Sequence, residues 1–324
     1  MAKRFFWFIL IFFVSCAFGS NFLKVGKSPE FIKIAPNGKY GVITLYGEDR
    51  IGVFEISSPK KIRKYPCGSH PLGFDFSIDG KFLYITNSDT GVIKVLNSKN
   101  FKEVATLKCG DLPSNVISLR DGKRIAVSNY GSGKWGRVDF INVETGEVVG
   151  RVKVGVKPLG LASDMLSKKI YVANSAEDYV SEIDTSKYEV VKKFNVGKNP
   201  SLMACSFSLK NIYISVTGDN RIVVINLLRD KIIGKIKCDG GPFGIDILDG
   251  LLAVGCYYSN DVKFFDGMFN LGLLKKVPLH RGVVGIVLSP DNRKFFALSE
   301  DENGLEHFSI SDLLKEIKGG KKTE

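Results

Sequence analysis

An all-β ring of seven four-stranded antiparallel sheets, a seven-bladed β-propeller, is the fold class this chain predicts. Three observations carry that prediction. A proline recurs at Pro29, Pro71, Pro113, Pro158, Pro200 and Pro242, with Val283 in the seventh place, at steps of 42, 42, 45, 42, 42 and 41 residues. A Val-Gly or Cys-Gly pair precedes most of them, as in Val25-Gly26, Cys67-Gly68, Cys109-Gly110, Val154-Gly155 and Val196-Gly197. Between them lie short alternating segments and turn residues. A period of this length, so filled, marks a propeller blade.

Residues 1–19 precede the repeats and read as a secretory signal peptide. Lys3 and Arg4 make a basic start, Phe5 to Val14 is an unbroken apolar run, and Ala17 to Gly19 supplies small residues for cleavage. The apolar run falls short of the roughly 20 residues a spanning helix needs. Phe13-Val14-Ser15-Cys16 also resembles a bacterial lipobox, with Phe13 where Leu is usual. On that reading residues 1–15 are the leader and Cys16 carries the lipid. Both readings place the mature chain outside the cytoplasm, in the periplasm or at the cell surface.

The propeller is expected over residues 20–311. Blade two shows its logic. Leu72 to Ser77 alternates as an inner strand, and Asp79-Gly80 turns the chain because it tolerates positive φ. Phe82–Asn87 and Val92–Leu96 follow as second and third strands, and Glu103–Lys108 is the outer one. Blade three carries three extra residues, confined to the loop Tyr130–Gly136. Asn21–Val25 matches an outer strand with nothing before it, so it should close the ring against blade seven. That closure removes the edge an open sheet would expose. Residues 312–324 form a short extension. Within it Leu313–Ile317 reads either as a helix capped by Ser311 or as a fourth strand.

Five cysteines remain after cleavage: Cys67, Cys109, Cys205, Cys238 and Cys256. Three of them share one repeat position with valines and read as small buried apolar residues. Equivalent positions in different blades lie beyond disulfide reach, so no structural disulfide is expected. No Cys-x-x-Cys-His haem site, paired zinc motif, acidic calcium loop or Gly-x-Ser-x-Gly elbow is present.

Tyr84-Ile85-Thr86-Asn87, Ala126-Val127-Ser128-Asn129 and Tyr171-Val172-Ala173-Asn174 resemble the second-strand signature of the YVTN family of bacterial and archaeal β-propellers. The Val-Gly-x-x-Pro turn belongs to the same pattern. Leu45, Val216, Cys256 and Ser299 stand where that family has Asn, which loosens those turns. The resemblance implies an exported seven-bladed ring and no single activity.

Propellers bind ligands on the end formed by the loops before the inner strand and between the second and third strands. That end should collect Tyr46, Arg50, His70, Asp89, Tyr130, Lys134, Trp135, Lys157, Asp178, Arg221, Tyr257 and Tyr258. Aromatic rings beside charges suit a protein, peptide or glycan ligand. The competing explanation is that these are ordinary turn residues. A non-enzymatic binding or scaffold protein of the cell envelope is the first reading, and it needs no cofactor and no metal. An enzyme is the second, either a lactone hydrolase or a cofactor-dependent oxidoreductase, with His70, Lys157, His280 and Arg281 as suspects. A haem carrier is the third, through a resemblance to the haem-binding propeller of cytochrome nitrite reductases.

The formal charge is +12, and cleavage removes Lys3 and Arg4 but no acidic residue, leaving +10. Lysines crowd the hairpins of the other end, as at Lys60, Lys61, Lys99, Lys102 and Lys187, while Glu48, Asp89, Asp178 and Glu300–Glu302 sit on the ligand end. A Lys/Arg-rich face of this kind suits anionic membrane or cell-wall polymer. Charge alone also admits nucleic acid, but no recognition motif accompanies it.

Overall fold

The computed structural model describes residues 22–268, 270–291 and 293–319. The signal sequence, Cys16, Asn292 and the tail from residue 320 lie outside them. Seven separate four-stranded antiparallel sheets are present. Their inner strands are Pro29–Ile34, Pro71–Phe76, Pro113–Ser118, Pro158–Ser163, Pro200–Ser206, Pro242–Leu248 and Val283–Leu288. Each therefore begins at the repeat position read from the sequence. Proline is tolerated there because the first residue of a strand can forgo a ladder donor. A register shift follows in the inner strand, as between Pro71 and Phe74 and between Pro242 and Ile245.

The ring closes through the N-terminal strand. Leu23 and Lys24 pair with Leu305 and Gly304 of blade seven, and the Val25 amide donates to the Asn303 carbonyl at 2.9 Å. Blade seven thus takes its fourth strand from the other end of the chain. The segment after its third strand is a helix, Ile310–Gly319. The helix starts before the 311/312 boundary expected for the extension. Its cap is Ser309 rather than Ser311: the Ser309 hydroxyl accepts the Asp312 amide at 3.3 Å, three residues into the first turn.

The core lies between neighbouring blades. Phe54 of blade one meets Phe296 of blade seven at 5.1 Å, and Phe264 of blade six meets Phe295 of blade seven at 4.9 Å. The Asn that ends the second strand bonds local backbone as expected: Asn87 and Asn129 each donate to the carbonyl two residues back, both at 3.1 Å.

Polar staples tie inner strands together around the channel. Asp75 accepts the Ser118 amide of the next blade at 2.8 Å, and Asp246 accepts the Leu288 amide of its next blade at 2.8 Å. Both occupy the fifth position of their inner strands. Lys33 of blade one completes the first staple with a 2.8 Å ion pair to Asp75. Asp75→Ala leaves a backbone donor and an ammonium without their acceptor, so a loss of about 2–3 kcal/mol is expected. Urea unfolding measures it, and a change near zero would show that water replaces the carboxylate at no cost.

Candidate functional site

One backbone device builds the end of the ring at which the predicted ligand residues sit. The residue before each inner strand is left-handed: Ser28, His70, Leu112, Lys157 and Asn199 have φ between 46° and 54°, and Gly241 and Gly282 fill the last two places. Its carbonyl accepts the first amide beyond the second strand of the same blade, as in Ser88 to His70 at 3.2 Å and Tyr130 to Leu112 at 3.0 Å. Its own amide is often held from the preceding blade. Asp49 takes the His70 amide at 2.9 Å, and Asn303 takes that of Ser28 at 2.8 Å. Asp49 is thus a turn residue with a structural task.

Asparagine and glycine accept this conformation at little cost, but leucine does not. Leu112 is nevertheless left-handed and 43 % exposed. Beside it lie Tyr130 and the blade-three insertion, whose Trp135 is 44 % exposed. Lys153 and Lys134 stand over the Trp135 ring, at 4.3 and 5.6 Å from its centre. Across the ring Tyr258 is exposed, and its ring packs edge-on against Tyr257, whose hydroxyl donates to Asp301 at 3.2 Å. The mouth therefore carries two raised aromatic patches, on blades three and six.

Between them the mouth holds a carboxyl group that the sequence reading missed. Glu30 follows Pro29, in the slot occupied elsewhere by Leu72, Ser114, Leu159, Ser201, Phe243 and Val284. Burial, helped by the charge of Glu300, pushes its pKa up to about 7. Burial also raises Glu300, with Asp301 adding to it, and holds the Tyr130 phenol up at about 12, with Glu30 contributing. Glu30 lines the upper wall of a narrow channel cavity of about 100 Å³, with Gly160, Leu202 and Gly244 among its neighbours. The signal was legible: one acid in a column of apolar and hydroxyl residues.

The remaining expected residues are dispersed around the mouth. His70 pairs with Asp89 at 2.5 Å and lies 4.5 Å from the Tyr46 ring. Arg221 is paired with Asp219, and Arg281 lies 3.6 Å from Glu302. Arg50, Lys157 and Asp178 are exposed, and Asp178 uses its carbonyl to hold the Val196 and Gly197 amides. His280 does not meet His70: it pairs with Glu306 of blade seven at 2.9 Å and stacks 4.3 Å from Phe22 of the closing segment. The two imidazoles belong to different blades and share no partner. No group of three or more metal-ligating side chains occurs among the described residues.

The sharp charge division expected between the two ends is blurred. Lys27, Lys157, Lys198 and Arg221 interleave with the acids of the mouth, and Lys64 reaches Glu48 there at 2.7 Å. The lysine-rich hairpins of the far end carry their own acids, as in Lys81–Asp79 and Arg124–Asp121. That far end also has a wide concavity, about 1250 Å³, lined by Tyr40, Tyr65, Phe101 and Lys81 among others. Arg63 and Tyr65 of its wall belong to the outer strand of blade one, Arg63–Pro66, which is shorter than those of the other complete blades.

No protein-family model matches the chain. It is 22% identical over 148 residues to Protein NirF of Stutzerimonas stutzeri. That match covers 42% of this chain and 38% of the relative, so the chain spans well under half the length of the curated relative it matches. Among solved structures, Kuenenia stuttgartiensis hydrazine synthase superposes with a TM-score of 0.75 at 18% identity. The superposition covers 89% of this chain and 96% of that one. At that identity the likeness shows the propeller fold alone.

Proposed function

We propose that this protein is a non-enzymatic binding protein of the cell envelope. It engages a protein, peptide or glycan at the channel mouth. One observation carries the reading: Leu112 is held left-handed and exposed beside Tyr130 and Trp135, where strain and solvent contact both cost free energy without a structural return. Rigid turns holding aromatic rings lose little freedom when a ligand arrives, which favours recognition. Glu30 at the floor of the mouth suits a ligand that presents a hydrogen-bond donor or a cation. The enzymatic and haem-carrier readings drew on His70 and His280 among their suspects, and each imidazole is paired with its own carboxylate, Asp89 and Glu306, on a separate blade. The reading treats the repeats as YVTN-type blades on an exported chain, lipid-anchored if Cys16 is acylated. Its lysine-rich hairpins would then rest on membrane or wall polymer.

Purified mature protein screened against envelope peptides and glycans should yield a ligand. Trp135→Ala and Tyr258→Ala should each weaken that ligand about tenfold or more, the scale of aromatic anchors at interfaces. Both side chains are exposed, so thermal stability should stay within about 0.5 kcal/mol. Full affinity in the double variant would move the binding site off this end. Native mass spectrometry of protein taken from its own envelope would report an acyl chain on Cys16 and any retained ligand.

A further inference from the structure

The joint between blades five and six is unlike the other six joints at one place. The residue four places before each inner strand, at the end of the preceding blade's outer strand, can be set against the last residue of the second strand that follows. The pairs are Val25 with Leu45, Cys67 with Asn87, Cys109 with Asn129, Val154 with Asn174, Val196 with Val216, and Leu279 with Ser299. Only at the joint of blades five and six are both cysteines: Cys238 follows the outer strand Lys231–Lys237 of blade five and Cys256 ends the second strand of blade six, with sulfurs 3.6 Å apart and both side chains buried. A buried cation completes the group. Lys263 Nζ lies 3.5 Å from Cys256 Sγ, is anchored by Asp261 at 3.2 Å and donates to the Asp239 carbonyl. Lys276 takes the other Asp261 oxygen at 3.0 Å, so Lys263 keeps its charge facing the sulfur.

We infer that Cys238 and Cys256 are a reversible dithiol–disulfide pair, with Cys256 as the attacking sulfur and Lys263 as its positioning cation. Closure requires the sulfurs to approach by about 1.5 Å, within reach of side-chain rotation in a favourable pair. The hydrogen bond from Cys238 is the first cause that draws the Cys256 thiol below its usual range, with Lys263 assisting against burial. The same contact, reinforced by burial, raises Cys238. The nearby Lys263 ammonium makes Cys256 the more readily ionised of the two and leaves Cys238 as the resolving thiol.

The oxidant is an organic disulfide. The Cys256 thiolate attacks one of its sulfurs, forms a mixed disulfide and expels the other as thiolate. Cys238 passes its proton to that departing thiolate, attacks Cys256 Sγ and expels the second. The two cysteines lose two electrons, the incoming disulfide leaves as one thiol, carrying the Cys238 proton, and one thiolate, and one protein disulfide forms. Both sulfurs are buried, so the reaction requires the turn that follows Cys238 to open; its Gly240 and Gly241 have φ of 98° and 70°. That turn packs directly on Ser259 and Tyr258, where an added Cβ would lie 2.0 Å from Ser259 Oγ and 2.3 Å from Tyr258 Cδ2. Oxidation therefore ties the Tyr257–Tyr258 rim to the turn beneath it. This inference does not depend on what the mouth binds.

The test uses the full mature chain incubated with glutathione disulfide, quenched in denaturant with a maleimide and mapped by non-reducing peptide mass spectrometry. Two thiols should be lost, joined as Cys238–Cys256, while Cys67, Cys109 and Cys205 remain alkylated. Dithiothreitol should restore both. Lys263→Gln should slow formation about tenfold, the loss of thiolate that one pKa unit represents. Persistence of both thiols, glutathione adducts alone, or a bond to another cysteine would overturn the inference from the wild-type map by itself. An unchanged rate in a folded Lys263→Gln would overturn the role of the lysine.

Discussion

Phe54→Ala should lower the stability of the ring by about 3–5 kcal/mol, the cost of emptying an aromatic site in a packed core. Phe54 is almost fully buried at the joint where blade one meets blade seven, against Phe296. It also covers Gly41: a Cβ built on that glycine would lie 2.2–2.9 Å from three carbons of the Phe54 ring. Gly41 is therefore small because Phe54 is large. Gly41→Ala alone should overpack the site and cost about 1–3 kcal/mol. In the Phe54→Ala background the same methyl enters the vacated space, so the double variant should be more stable than the sum of the singles predicts. A coupling of about 0.5–3 kcal/mol is expected for residues in such contact. Denaturant unfolding of the four proteins measures it, and strict additivity would mean that the ring relaxes away from Gly41. The joint is worth probing because the chain ends meet there, with Val25 of the closing segment in the same apolar cluster.

The repeat made the architecture legible. Position 42 residues on from a proline is a backbone instruction: an inner strand must start where a ladder donor is dispensable. The two-residue closing strand was legible for the same reason, since an outer-strand pattern with no inner strand before it can only complete another blade. The helix after blade seven was ambiguous because its apolar residues suit either a strand or a helix. Ser309 resolves it, and its hydroxyl acts only once the preceding strand has ended. The mouth was half legible. The positions of His70, Lys157 and Tyr258 followed from the period, but their partners did not, because a hydrogen bond donated by the His70 amide to Asp49 of the preceding blade is invisible in one repeat. That His280 would pair with Glu306 of blade seven was equally hidden, since that partner lies in the next repeat. The far-end concavity, walled in part by the short outer strand of blade one, was hidden as well. The cysteine pair was hidden because the comparison set Cys238 against equivalent positions of distant blades rather than against Cys256, the residue it meets across the joint of blades five and six.

Glu30 makes a second prediction, one in which removal of a charged residue stabilises the protein. Its pKa is 4.5 when unperturbed and about 7 in the fold, so the folded state binds the proton more tightly. Between those values the folded chain carries more protons than the unfolded one, and stability falls as pH rises. The favourable contribution is complete below pH 4.5 and is lost once pH has passed 7. Glu30→Gln has no such dependence. It should match the wild type near pH 4.5 and exceed it by about 2–3 kcal/mol at pH 8.5, given 1.36 kcal/mol per unit and some solvent screening at the mouth. Thermal unfolding across that range decides the matter, and parallel curves for the two proteins would place Glu30 in ordinary solvent contact. A carboxyl group whose ionisation opposes folding, in a slot that takes leucine, serine, phenylalanine or valine elsewhere in the same ring, serves something other than the ring. The mouth has the means to use it. A ligand that brings a cation to Glu30 would bind more tightly as pH rises through 7, against the trend in stability. Opposite slopes for unfolding and binding would separate a functional carboxylate from one that is merely tolerated.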